Sequence, residues 1–139
     1  MSFQHEFESV PDTLRDSSFR DAAVGICALV SAIGGADPAE RVRVADRIED
    51  MPVLHHFPPY ELRNLFEDNW HRLALDPAFG RAYVLQQVAR ATDRPAQARA
   101  AVRTGIEITG ADRPFGPQGA DVLRECCRVL HLAPAEFGL

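Results

Sequence analysis

Few residues in this 139-residue chain have the type and spacing that chemistry needs. Asp121 and Glu125 stand four apart, which on a helix puts both carboxylates on one face. A solvated acidic face is the simpler reading, and contact with a metal or a partner protein the sharper one. Cys126 and Cys127 are adjacent, so a helix points them in different directions. Cys126 falls on an apolar stripe and reads as an inert thiol of the core. Cys127 falls at the edge of that stripe, flanked by Arg124 and Arg128, whose charges would lower a thiol pKa. It is the candidate reactive thiol, against the plainer reading as a packing residue. His55-His56 could ligate a metal, yet they precede Pro58-Pro59 and have no Cys or His at a paired zinc spacing. His71 and His131 read as helix-surface residues or partners of a helix C-terminus, and Phe66 and Trp70 sit at core spacing. No glycine-rich phosphate loop, nucleophile elbow or Cys–His pair is visible. The residues point away from an enzyme.

The segments that carry these residues read as helices throughout. From Ser17, apolar residues recur at helical spacing (Phe19, Ala22, Ala23, Ile26, Leu29, Val30, Ile33) until Gly34-Gly35 offers a stop. Asp37-Pro38-Ala39-Glu40 is a start signal, a cap followed by proline at the first helical position, and the helix it opens carries Val42, Val44, Ala45 and Ile48. Met51 to Pro59 reads as a loop. Pro59 opens a third helix with Leu62, Leu65, Phe66, Trp70 and Leu73 on one face. Asp76-Pro77 repeats the start signal, with Phe79, Ala82, Leu85, Val88 and Ala91 as the stripe that follows. Asp93-Arg94-Pro95 starts a fifth helix, whose small residues Ala98, Ala101 and Gly105 suit close packing. After a turn over Gly110 to Gly116, Pro117 opens a sixth helix with Val122, Leu123, Cys126, Val129 and Leu130. Pro134 to Phe137 is a terminal turn that folds Phe137 and Leu139 back on the rest.

No segment alternates with period two, so strands are not expected. The fold class is all-α: a single compact bundle of about six to seven helices with short connections. The turns at Ile33 to Glu40 and Ile108 to Gln118 echo one another, which suggests two pseudo-repeated helical hairpins. Residues 1–12 read as a flexible lead-in and 13–139 as the domain. The chain carries a net charge of -5, and all 15 of its basic residues are Arg. A nucleic-acid binder needs a basic surplus to displace counterions, so nucleic acid is not an expected partner. With no signal peptide, no apolar run of about 20 residues and only three cysteines, the expected setting is the cytoplasm, without membrane insertion.

The C-terminal half carries a resemblance. Ala101-Val102-Arg103-Thr104-Gly105-Ile106 leads into Gly110-Ala111-Asp112-Arg113-Pro114-Phe115. Val122-Leu123-Arg124-Glu125-Cys126-Cys127-Arg128-Val129-Leu130-His131-Leu132 and a final Glu136-Phe137-Gly138-Leu139 follow. This resembles the tellurite-resistance TerB family, whose members carry a similar A-V-R-x-G-I helix, an A-D-G-x-F turn, an R-E-I-C-R-x-L-x-L helix and an ending close to S-E-F-G-L. Earlier, Ala28-Leu29-Val30-Ser31-Ala32 fits the first helix of the family. The resemblance implies an all-helical fold with two helical hairpins and an acidic surface. It implies a role in resistance to tellurite and related stresses, as a cytoplasmic partner of membrane or metal-handling proteins, with no enzymatic activity.

The resemblance also implies acidic turns suited to a divalent cation, and here the chain departs from it. Gly34 stands where the first Asp belongs and Arg41 at the next acidic position, although Glu40 remains and Asp37 could substitute in a shifted turn. In the second turn Asp112 remains beside Arg113, and Gln118 and Gly119 occupy the stretch where acids belong. A hard cation takes about six to eight oxygen ligands. Asp112, Asp37 and Glu40 are therefore a depleted candidate set for metal. The expected function is a non-enzymatic protein-interaction module of a tellurite-resistance or stress-response system, needing no cofactor. The alternative is a divalent-cation sensor or buffer.

Overall fold

A computed structural model describes residues 14, 16–33, 37–110 and 116–139. Six α-helices form the described chain, and no strand occurs among the described residues. They are α1 (Ser17–Ser31), α2 (Pro38–Asp50), α3 (Pro59–Leu75), α4 (Pro77–Val88), α5 (Pro95–Thr109) and α6 (Pro117–Val129). The all-α bundle expected from the periodicity is what the chain adopts. The lead-in, Gly34-Gly35 and most of the turn containing Asp112 lie outside the described residues.

Proline at the first position opens every helix but α1, because its fixed φ suits that position and its missing N–H would have gone unpaired there. Asp37 and Asp76 cap as expected: Asp37 accepts from Ala39 N at 3.0 Å and Asp76 from Phe79 N at 3.2 Å. Asp16 does the same for α1, accepting from Ser18 N at 3.0 Å. Glu40 in the first turn of α2 pairs with Arg43 at 2.8 Å. One start signal acts differently from its reading: Arg94 rather than Asp93 stands at the α5 N-cap, without a side-chain bond. Met51 to Pro59 contains a 3₁₀ turn, Pro52–Leu54, and buries Leu54 and Phe57.

Helix α1 is the axis of the bundle. Phe19, Ala22, Ala23, Val24, Ile26, Cys27 and Ala28 are all fully buried, so it is covered on every side. Helix α5 lies closest, and a Cβ built at Gly105 would stand 2.5 Å from Ile26 Cγ2. The small residues of α5 do permit the close approach they suggested. Ser18 Oγ donates to Gln97 Oε1 at 2.5 Å, a buried bond between the same two helices.

Helix α4 is rotated from its expected stripe. Gly80, Val84 and Val88 face inward, whereas Phe79 is 78% exposed and Ala82 is exposed. The cause is the tight corner at Asp76: a Cβ at Gly80 would lie 2.6 Å from Arg72 C and 2.8 Å from Leu73 Cα. Only glycine lets the start of α4 rest on the backbone of α3, and that contact sets which side of α4 meets the core. Val42, expected on the apolar side of α2, is likewise exposed. The terminal turn Pro134–Phe137 packs Phe137 and Leu139 on the core, as expected, with the Arg103 guanidinium 5.4 Å from the Phe137 ring centre.

Candidate functional site

The end of α1 meets the C-terminal half of α3 and the start of α4 around a hollow of about 280 Å³. Leu29, Ala32 and Ile33 form one wall, Trp70, Leu73 and Ala74 a second, and Pro77 and Arg81 the rim. A neighbouring hollow shares Ile33 and Arg81 and continues to Gln118, Asp121 and Val122 at the start of α6. The two adjoin as one furrow, apolar where α1, α3 and α4 meet and mixed polar and charged toward α6. On the α3–α4 corner, between the lining residues Ala74 and Pro77, Leu75 is 85% exposed, and Phe79 stands outward in the first turn of α4.

The polar groups of this region are unevenly satisfied. Arg81 Nε and Nη2 both donate to Glu125 Oε1, the first at 2.9 Å. Trp70 carries the Arg41 guanidinium 4.9 Å from its ring centre, but its buried Nε1–H finds no acceptor among the described residues. At the preceding position Asn69 is fully buried, and neither Oδ1 nor Nδ2 has a partner among them. Buried polar atoms are nearly always paired, so three orphans on successive residues single out this part of α3. Periodicity could not find them, because it assigns Asn69 to no stripe and treats Trp70 as plain core.

The residues singled out in the sequence are scattered. Asp121 and Glu125 share one side of α6, but each holds an arginine: Arg124 at 2.7 Å from Asp121, and Arg81 from Glu125. Their face is thus an ion-paired surface rather than a bare acidic one. Asp37 spends an oxygen on its cap and Glu40 is paired with Arg43, while Asp112 lies outside the described residues. No group of three His, Cys, Asp or Glu side chains converges among the described residues. His55 and His56 are exposed on the α2–α3 connection.

Cys127 is corrected by the structure. It is completely buried, like Cys27 and Cys126, because α6 sits deeper than its stripe suggested. Burial pushes the Cys127 thiol pKa up, the negative charge of Glu136 adds to the rise, and Arg128 opposes it without prevailing. Burial likewise raises Cys126, to about 12, and raises Cys27 further with help from Cys126. None of the three is an activated thiolate.

The family model described as tellurite resistance protein TerB matches residues 20–139. The chain belongs to the TerB family. The match runs from the first turn of α1 to the last residue, so all but the first three residues of α1, every later helix and the whole furrow lie within it. No curated protein and no solved structure matches closely. In this TerB chain no described helix is long and apolar enough to cross a membrane.

One acidic site escaped the sequence reading. Asp21 lies on α1 with its side chain 2% exposed, clamped between Arg20 at 2.9 Å and Arg90 at 2.8 Å. Arg20 continues to Glu61 on α3 at 2.7 Å, and its guanidinium lies 5.6 Å from the Phe57 ring centre. An aspartate inside an apolar helical run was the available signal. Its two arginine partners are its neighbour Arg20 and the distant Arg90, and Arg20 leads on to Glu61, a set that spacing alone does not join.

Proposed function

We propose that this protein is a non-enzymatic, cofactor-independent interaction module of a tellurite-resistance or related stress-response system, working in the cytoplasm. Family membership supplies the system. The observation that supports an interaction role is the α3–α4 corner, where Leu75 and Phe79 stand almost fully in solvent beside an apolar furrow. Scattered single apolar residues are ordinary on a surface, but two large ones within five residues of one corner, flanking the hollow's lining residues Ala74 and Pro77, are the pattern of a contact site. Buried aromatic anchors carry much of the energy of protein interfaces, and Phe79 is placed to be one. The partner is a protein, of the membrane-bound or metal-handling kind that a tellurite-resistance system contains. No nucleic acid is involved.

The test is complementation. A host strain deleted for this gene is given the wild-type chain or a Leu75→Ser/Phe79→Ser variant, and growth is followed across a tellurite series. The wild type restores resistance and the variant does not, although its melting temperature stays within a few degrees of wild type, since both positions are exposed. Full resistance from a folded variant would remove the corner from the function. No tellurite phenotype in the deletion strain would remove the system.

A further inference from the structure

The furrow holds more than its apolar walls, and its chemistry is independent of whatever docks on the corner beside it. We propose that the hollow between α1, α3 and α4 binds a small organic acid, with its apolar body against Leu29, Ile33 and Leu73 and its carboxylate on Arg81. At about 280 Å³ it stands at the lower edge of small-molecule sites, room for a ligand of roughly ten non-hydrogen atoms. The polar side chains in its lining, Trp70 and Arg81, carry donors only. Arg81 gives Nε and Nη2 to Glu125, and Nη1 stays unclaimed among the described residues. The Trp70 ring lies in the wall, but its indole N–H is buried and closed off from the hollow. A guanidinium at the rim with an open Nη1 calls for a carboxylate, which it can hold through a charge-assisted hydrogen bond.

The acids nearby decide how tightly. Glu125 already occupies Arg81, and Asp121 lines the adjoining hollow while paired with Arg124. A bound carboxylate therefore shares or displaces Glu125, which makes Glu125 an internal competitor. Affinity in the range of about 10 µM to 1 mM fits a ligand this small. The competition supplies a sharp signature: removing the charge of Glu125 strengthens carboxylate binding and leaves a neutral analogue unaffected.

Trp70 is the single tryptophan of the chain and lies in the wall, so its emission reports occupancy directly. The full chain is titrated with octanoate, octanol and octylammonium. Octanoate gives a saturable change, binding at least threefold more tightly than octanol and tenfold more tightly than octylammonium. Arg81→Gln, at an exposed position where the fold is kept, brings octanoate down to the level of octanol. Glu125→Gln tightens octanoate threefold or more and leaves octanol unchanged. The proposal is overturned if octanol equals octanoate in the wild type, if Arg81→Gln leaves octanoate unaffected, or if the emission change grows linearly without saturation. It is also overturned if emission of the ligand-free chain shifts with protein concentration and octanoate has no effect, because a second copy then fills the hollow.

Discussion

At the scale of single residues, burial outweighs local charge. Cys127 has arginines one and three positions away in sequence, yet its thiol pKa is raised, because the desolvation of a thiolate exceeds the help of one nearby guanidinium. The consequence is chemical silence. A thiol reagent added to the native protein at pH 7.5 should label none of the three cysteines on the timescale of mixing, and all three once denaturant is present. Rapid native labelling of Cys127, identified by mass spectrometry of the peptides, would show that α6 opens or is rotated. What made Cys127 illegible in the sequence is that a stripe edge and a stripe interior differ by a rotation of a few tens of degrees. That rotation is set by what α6 packs against, not by α6 itself. Asp37 and Asp76 were legible for the opposite reason: an N-cap is satisfied within four residues, so its chemistry is written locally. Asp16 shows the same local logic with a pH signature. The Ser18 amide it caps, aided by Arg94, holds its carboxyl below the usual carboxylate range. A depressed carboxylate adds stability above its unfolded pKa and loses it as pH falls through the folded one. Unfolding free energy should therefore drop on acidification below about pH 4, and less steeply in Asp16→Asn, as urea titrations at successive pH values would show.

At the scale of elements, two positions test how the helices are joined. Gly→Ala inside a helix ordinarily stabilises by about 1 kcal/mol. Gly80→Ala should instead destabilise by about 1–3 kcal/mol, because its Cβ meets the backbone of Arg72 and Leu73, and backbone cannot swing aside. A neutral or stabilising Gly80→Ala would mean that α3 and α4 are not seated on each other as described. The end of α6 offers the reverse case. His131 takes the left-handed conformation, φ 60, and the helix closes with His131 N donating to Arg128 O and Leu132 N to Cys127 O. This is the paired closure that glycine usually serves, with Leu132 tucked against the core. A side chain in that conformation costs about 1–2 kcal/mol, part of which glycine returns through its freer unfolded chain. His131→Gly should thus stabilise by about 0.5–1 kcal/mol in urea unfolding, and a loss of stability would show the imidazole making a contact that outweighs the strain. Helix existence and order were legible from capping and periodicity, since both are local. The rotation of α4 was not: Phe79 fits an apolar stripe as well as Val84 does, and only the backbone contact at Gly80 chooses between them.

At the scale of the whole molecule, the Asp21 cluster ties α1 to α3 through Arg20 and Glu61, and to the turn after α4 through Arg90. Its partners differ in their access to water. Asp21 is buried and Arg90 is half exposed. Arg90 Nη1 lies 2.8 Å from Asp21 Oδ2, in contact as an ion pair although not aligned as a hydrogen bond, and Oδ2 has no hydrogen-bond partner among the described residues. The two sides of the pair should therefore fail differently. Arg90→Met leaves a carboxylate oxygen buried with its counter-charge removed, and Arg20 alone must neutralise it from the other oxygen. An uncompensated buried group of this kind costs about 1–3 kcal/mol, or more when charged. Asp21→Leu removes the buried charge itself. Arg90 can then turn to solvent, Arg20 keeps Glu61, and an apolar side chain fills space in an otherwise apolar helix. Such replacements of buried ion pairs are often neutral or stabilising. Urea unfolding of the two variants should therefore rank Asp21→Leu above Arg90→Met by about 1 kcal/mol or more. The reverse order would mean that the cluster contributes as a network whose attraction exceeds the desolvation of its aspartate. In that case Arg20→Met should prove as damaging as Asp21→Leu, because one carboxylate would be holding three helical segments together.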